Sequence, residues 1–181
     1  VIKKIVSLKP EYIIFASSFN HFKSEKNFKL TVNNNNNPLL NLCEEIAVNK
    51  NFKKIIYISS FQVYGNYQEH TIIDENTPKD AKNYYGLSHS INEDLLKIAK
   101  IKFGINSDII RLTNSYGYPT LLSNDCWWLV VNDLCKSFAE YKKIVLSSDG
   151  KSFRNFIHLD DVTKFIKFLN DLPSELNTIF L

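Results

Sequence analysis

Short apolar runs separated by amphipathic stretches fill the first two thirds of the chain. YIIFASS at 12–18, KIIYISS at 54–60 and SDIIRLT at 107–113 are rich in β-branched and aromatic residues, and the first two end in serine pairs. Consecutive apolar positions over this length predict buried strands. From Pro38, LLNLCEEIAV has helical spacing, with Pro38 suited to a first helical position. Residues 83–103 predict a second helix, with Leu95, Leu96, Ile98 and Ala99 on its apolar side and Gly104 at its end. Residues 19–37, which hold the NNNNN tract, and 65–82 read as loops, with a low-complexity linker the alternative for the tract. Strand–helix–strand–helix–strand predicts a parallel sheet with helices on both faces. After Tyr118 and Pro119 the pattern changes to a helix over 127–141, a strand over 142–148, a turn and strand over 149–159, and a helix over 160–172 capped by Asp160.

Composition narrows the function classes. The 181 residues are 44% hydrophobic and 23% charged, values of an ordinary soluble domain. A net charge of +3 with dispersed basic residues argues against nucleic-acid binding, which needs a clustered stripe. No apolar run approaches the ~20 residues that span a membrane. Cys43, Cys126 and Cys135 are odd in number and lack metal-ligand spacing, which predicts reduced, buried thiols in a cytoplasmic protein and no metal. The chain has no methionine and starts at Val1, so an upstream start or an alternative start codon is expected. Lys and Arg total 22, of which only Arg111 and Arg154 are arginine. Lysine cannot copy the planar fork of those two.

Tyr85 and His89 stand one helical turn apart, so their side chains share a face. A cation beside a phenol holds it partly ionised, and such a phenol moves protons at neutral pH. Ser60, ending the preceding strand, is placed to hydrogen-bond the reacting oxygen. Asp160 and Asp161 are explained by a helix start, His158 by a structural role, and Trp127 and Trp128 by packing.

YISSFQVYG, YYGLSHSINEDLL, IIRLTNSYG and DGKSFRNFIHLDDV, in that order, resemble the extended short-chain dehydrogenase/reductases. Within that group the likeness is to NAD-dependent nucleotide-sugar epimerases and dehydratases, and LKPEYIIFASS and 34–45 extend it over nearly the whole chain. The resemblance implies an incomplete Rossmann-like, doubly wound parallel sheet. Residues 1–118 would be the C-terminal half of the NAD(P)-binding domain and 119–181 part of a substrate region, with 155–170 packing back on the first. It implies Tyr85 as acid/base, Ser60 as its hydroxyl partner and His89 in the place of a lysine that binds the nicotinamide ribose. Ala16, Ser17, Asn34 and Asn35 would complete the site for NAD or NADP. Asn114 would contact the nucleotide sugar and Arg154 its diphosphate, a task suited to a bidentate fork. It also implies a homodimer through the 83–103 helix.

Three departures qualify these expectations. The glycines at 65, 86, 104, 117 and 150 form no G-x-G-x-x-G, so the Gly-rich βαβ that cradles the pyrophosphate is missing and the chain is expected to be a fragment. His89, with an ordinary pKa near 6.5, replaces a permanent cation. Phe61 and Gln62 stand where dehydratases carry an acidic pair, which favours epimerase over dehydratase chemistry. Taken alone, the chain is expected to be inactive. A degenerate paralogue without catalysis and a sugar-nucleotide-binding module are the competing expectations.

Overall fold

The computed structural model describes residues 1–66, 71–121, 123, 126–146, 148–151, 153–173 and 178–181. They form two compact units, Val1–Leu112 with Leu169–Leu181, and Thr113–Phe168. The chain runs through α1 (Ile2–Ser7), β1 (Tyr12–Phe15), α2 (His21–Lys26), α3 (Phe28–Thr31), a π-helical turn (Val32–Asn36) and α4 (Asn37–Ile46). Then come β2 (Lys54–Ser60), a 3-10 turn (Phe61–Tyr64), α5 (Tyr84–Phe103), β3 (Asn106–Leu112) and β4 (Asn114–Tyr116). The last elements are α6 (Val130–Tyr141), β5 (Phe156–His158), α7 (Leu159–Asp171) and β6 (Ile179–Phe180).

In the first unit the strands form one parallel sheet in the order β1-β2-β3-β6. Phe15 lies opposite Tyr57, and Tyr57 opposite Ile109. These side chains and Ile55 pack against Leu39, Leu42, Cys43 and Ile46 of α4 and against Leu96 and Ala99 of α5, with Ile2 and Val6 of α1 at the margin. Each fully buried aliphatic side chain there contributes about 1.5–3 kcal/mol. Successive crossovers advance the sheet in one direction, and right-handed crossovers of that kind place their helices on the same side. Thus α1, α4 and α5 share the face that carries Ile55, Tyr57 and Ile109, while Lys54, Ile56 and Ile110, which alternate to the opposite face, are buried as well. Among the described residues β1 has β2 as its one strand partner, and Ile14 within it is 55% exposed. Lys54, fully buried, pairs with Asp108 at 2.7 Å and donates to the Pro173 carbonyl at 3.2 Å, tying the C-terminal segment to the sheet.

The structure corrects the reading of 19–37 as a loop. Asn20 and Asn27 cap α2 and α3 by accepting from the amides of Lys23 and Leu30, and the asparagine tract is helical. Tertiary hydrogen bonds to buried Asn35 and Asn36 override the low helix propensity of asparagine. The strand expected over 142–148 is absent among its described residues, where Ile144, Val145 and Leu146 are exposed and no partner strand pairs with them. Asp160 lies inside the first turn of α7, and the His158 imidazole accepts from its amide at 3.1 Å. Ile98 is exposed, and of the three free thiols only Cys43 is buried. In the second unit β4 and β5 pair in parallel with Asn114 opposite Phe156. Among the described residues no helix is long and apolar enough to cross a membrane, and no cluster of His, Cys, Asp and Glu is placed to hold a metal.

Candidate functional site

Ligands of open parallel sheets bind at the carboxyl ends of the strands. There, Ala16, Ser17 and Ser18 are exposed just past β1, Ser60 ends β2, and the first turn of α5 begins with Tyr84 and Tyr85. The α5 N-terminus is fixed locally. Asn83 accepts from the Gly86 amide at 2.7 Å, and Glu25 accepts from the Tyr85 amide at 3.1 Å. Gly86 is required at this position, because a Cβ would stand 2.4 Å from the Gln62 carbonyl oxygen.

The Ser60 and Ser18 hydroxyls lie close enough to the Tyr85 hydroxyl to lower its pKa. Burial raises its pKa above the ordinary tyrosine value, against the opposing effect of those two hydroxyls. The His89 ring meets Tyr85 edge-on at 4.5 Å between centroids. Burial lowers the His89 pKa to about 4, with nearby Glu93 opposing the shift. His89 is therefore uncharged at neutral pH, and the cation expected to ionise the phenol is not there. Its Nδ1 lies 2.6 Å from the Tyr57 hydroxyl, while its Nε2 is buried without a partner among the described residues.

Asn35, expected at the cofactor, accepts from the Phe19 amide at 2.7 Å and donates to the Ser88 hydroxyl at 2.9 Å, so it braces the β1 loop against α5. Asn34 is exposed and donates to the Leu30 carbonyl. In the second unit Asn114 donates to the Asn155 carbonyl at 3.1 Å, next in sequence to exposed Arg154.

Sequence reasoning missed Ser18, Tyr57, Asn92 and the role of Arg111. Arg111 is buried and grips Glu93 through two bonds of 3.0 and 2.8 Å, while Ser59 donates to the same carboxylate at 2.7 Å. Its Nη1 also donates to the Tyr64 hydroxyl at 2.6 Å. The scarcity of arginine had flagged this residue, but not its partner. Glu93, at i+4 from His89, sits on the same helix face and was legible as a neighbour.

Comparison with known proteins adds an independent line. The model of the NAD dependent epimerase/dehydratase family matches residues 1–178. A uronate dehydrogenase of Pseudomonas putida is 34% identical over 90 residues, which are 50% of this chain and 34% of that protein. A UDP-glucose 4-epimerase of Thermotoga maritima, solved with UDP-glucose, superposes with a TM-score of 0.84 at 21% identity, over 99% of this chain and 57% of its own. A UDP-glucuronic acid 4-epimerase of Bacillus cereus, solved with UDP-glucuronic acid and NAD, gives 0.82 at 21% identity, over 98% and 55%. At this identity the structural likeness speaks for the fold, a partial Rossmann fold. The chain spans about a third of the length of the curated relative and just over half of the solved chains.

Proposed function

The chain belongs to the NAD-dependent epimerase/dehydratase family, and we propose that it carries the proton-transfer and sugar-recognition parts of an enzyme acting on a nucleotide sugar by Tyr85-assisted transient hydride transfer. The observation that carries this reading is the Tyr85 hydroxyl beside Ser60 and Ser18 at the carboxyl edge of the sheet. Ionised to the phenolate, Tyr85 in that position accepts a proton from a sugar hydroxyl, becoming the phenol, and returns it, with Ser60 steadying the oxygen. NAD, when bound, supplies the hydride acceptor and donor.

The fit of this chain to NAD is confined to the nicotinamide end. The exposed Ala16 and Ser17 suit a ribose and its neighbouring ring, while the unpartnered Nε2 of His89 is buried in the free chain. Asn35 reaches this end only through the loop it braces, and the bonds of Asn34 give it no part there. The five glycines form no G-x-G-x-x-G cradle for a pyrophosphate. Gly65 and Gly86 abut the carbonyls of Asp80 and Gln62, and Gly104 ends α5. Asn114 and Arg154 are assigned to the sugar and diphosphate. Exposed Leu87, Ile98 and Ile101 on α5 support self-association through that helix.

A second reading, a sugar-nucleotide-binding module without catalysis, is favoured by one observation, the uncharged His89. The chain mixed with NAD and UDP-glucose or dTDP-glucose distinguishes the two. Transient NADH absorbance that Tyr85→Phe removes without altering the melt supports the enzyme. Calorimetric binding that Arg154→Ala abolishes, with no NADH formed, supports the module. No binding of either ligand overturns both.

A further inference from the structure

A relay of buried amides runs from two backbone carbonyls to the ring of His89. Asn36 donates from Nδ2 to the Ser88 carbonyl and to Asn92 Oδ1, both at 2.7 Å. That fixes the Asn92 amide, whose Nδ2 donates to the Asn35 carbonyl at 2.9 Å and to the Tyr57 hydroxyl at 3.0 Å. Tyr57 has one hydroxyl hydrogen, and the remaining neighbour of its oxygen is His89 Nδ1 at 2.6 Å. Asn36, Asn92, Tyr57 and His89 are all at most 4% exposed, so water does not compete for these bonds. Tyr57 therefore donates to Nδ1, and the neutral ring carries its hydrogen on Nε2, the atom left without a partner.

The geometry points to Tyr57 as a positioning residue that, oriented by Asn92 and Asn36, locks His89 in the Nε2–H tautomer. Residue 89 then carries a fixed uncharged donor beside Tyr85, buried in the free chain and open to an uncharged acceptor of the ribose-hydroxyl class once a neighbouring side chain moves aside. The ligand half of this inference rests on the function proposed above; the tautomer half does not. The titratable groups around the ring are Tyr57 from β2 and Tyr85 and Glu93 from α5, with His21 of α2 against the far side of Tyr85. None of them donates to Nδ1 other than Tyr57.

Imidazole nitrogen-15 NMR on the full chain at pH 7.5 tests this, with His89→Gln identifying the His89 signals. Expected are a protonated Nε2 and a bare Nδ1 in the wild type, and a mixture of tautomers in Tyr57→Phe. Asn92→Asp is the second variant, in case the first fails to fold. Its carboxyl, protonated so as to donate to the Asn35 carbonyl, accepts the Tyr57 hydrogen, so the phenol oxygen accepts from the ring and the tautomer reverses to Nδ1–H. A wild-type ring that is Nδ1–H or charged overturns the inference, as does a tautomer that neither variant changes. Adding NAD should shift the Nε2–H resonance. An unmoved resonance on an intact Nε2–H ring overturns the ribose assignment, and with it the cofactor part of the proposed function, while the positioning role of Tyr57 stands.

Discussion

Substituting His89 with glutamine tests the electrostatics of the site through stability alone, without any ligand. Burial lowers the imidazole pKa from 6.5 to about 4. In the unfolded chain the ring takes a proton near its ordinary value, whereas in the folded chain it stays neutral until the pH falls much further. Between those two values the unfolded state binds more protons, so stability rises with pH in this window. The contribution is complete above about pH 6.5 and is lost as the pH falls toward 4. A drop of that size corresponds to about 3 kcal/mol in full, of which about 2 kcal/mol is already gone at pH 5. Urea unfolding followed by circular dichroism at pH 7.5 and pH 5 measures this. The wild type should lose about 2 kcal/mol more than His89→Gln over that interval, because glutamine does not titrate and the other groups are shared. Parallel pH dependence in the two proteins would refute the buried neutral ring. A steeper loss in the variant would do the same.

Two further perturbations address the rest of the first unit. Glu93→Ala leaves Arg111 buried without its bidentate partner and should cost about 3–5 kcal/mol in urea unfolding; Glu93→Leu with Arg111→Leu should cost less than the single change, and a single-variant loss below about 1 kcal/mol would show that the pair is not tightly held. Ile14→Lys places a charge at an exposed position of β1, a recognised guard against strand-to-strand pairing between copies. Light scattering during heating should fall, and unchanged or increased scattering would mean that this strand does not drive association.

Strands β1, β2 and β3 and helices α4 and α5 were legible because burial enforces periodicity. KIIYISS and SDIIRLT lie at the centre of the sheet, buried along most of their length, and their composition says so. α5 carries both of its end signals, an asparagine cap and a left-handed glycine. The asparagine tract was illegible for an equally physical reason. Its local preference is for turns, and it is helical because Ser88 and Asn92, more than 50 residues away in sequence, take up its amides. The segment 142–148 shows the opposite failure. It has strand composition, but a strand also needs a partner, and periodicity does not report whether one arrives.

The site was legible as a set of residue types and not as a charge state. Spacing put Tyr85 and His89 on one face, and the structure keeps them in ring contact. Whether that contact is a cation beside a phenol or two neutral rings depends on burial and on Tyr57, which spacing along α5 cannot reveal. The resolved pKa shifts run against easy proton transfer: the phenol is raised and the imidazole lowered. Ser60 and Ser18 are what remain to favour the phenolate. A hydroxyl pair provides less of that bias than a permanent positive charge, since neutral hydrogen bonds are roughly half as strong as charge-assisted ones. A Tyr85-dependent reaction in this chain should therefore gain rate steadily as the pH rises past neutrality, with no plateau until the phenol ionises. A flat profile from pH 7 to 9 would mean that some group other than Tyr85 handles the proton.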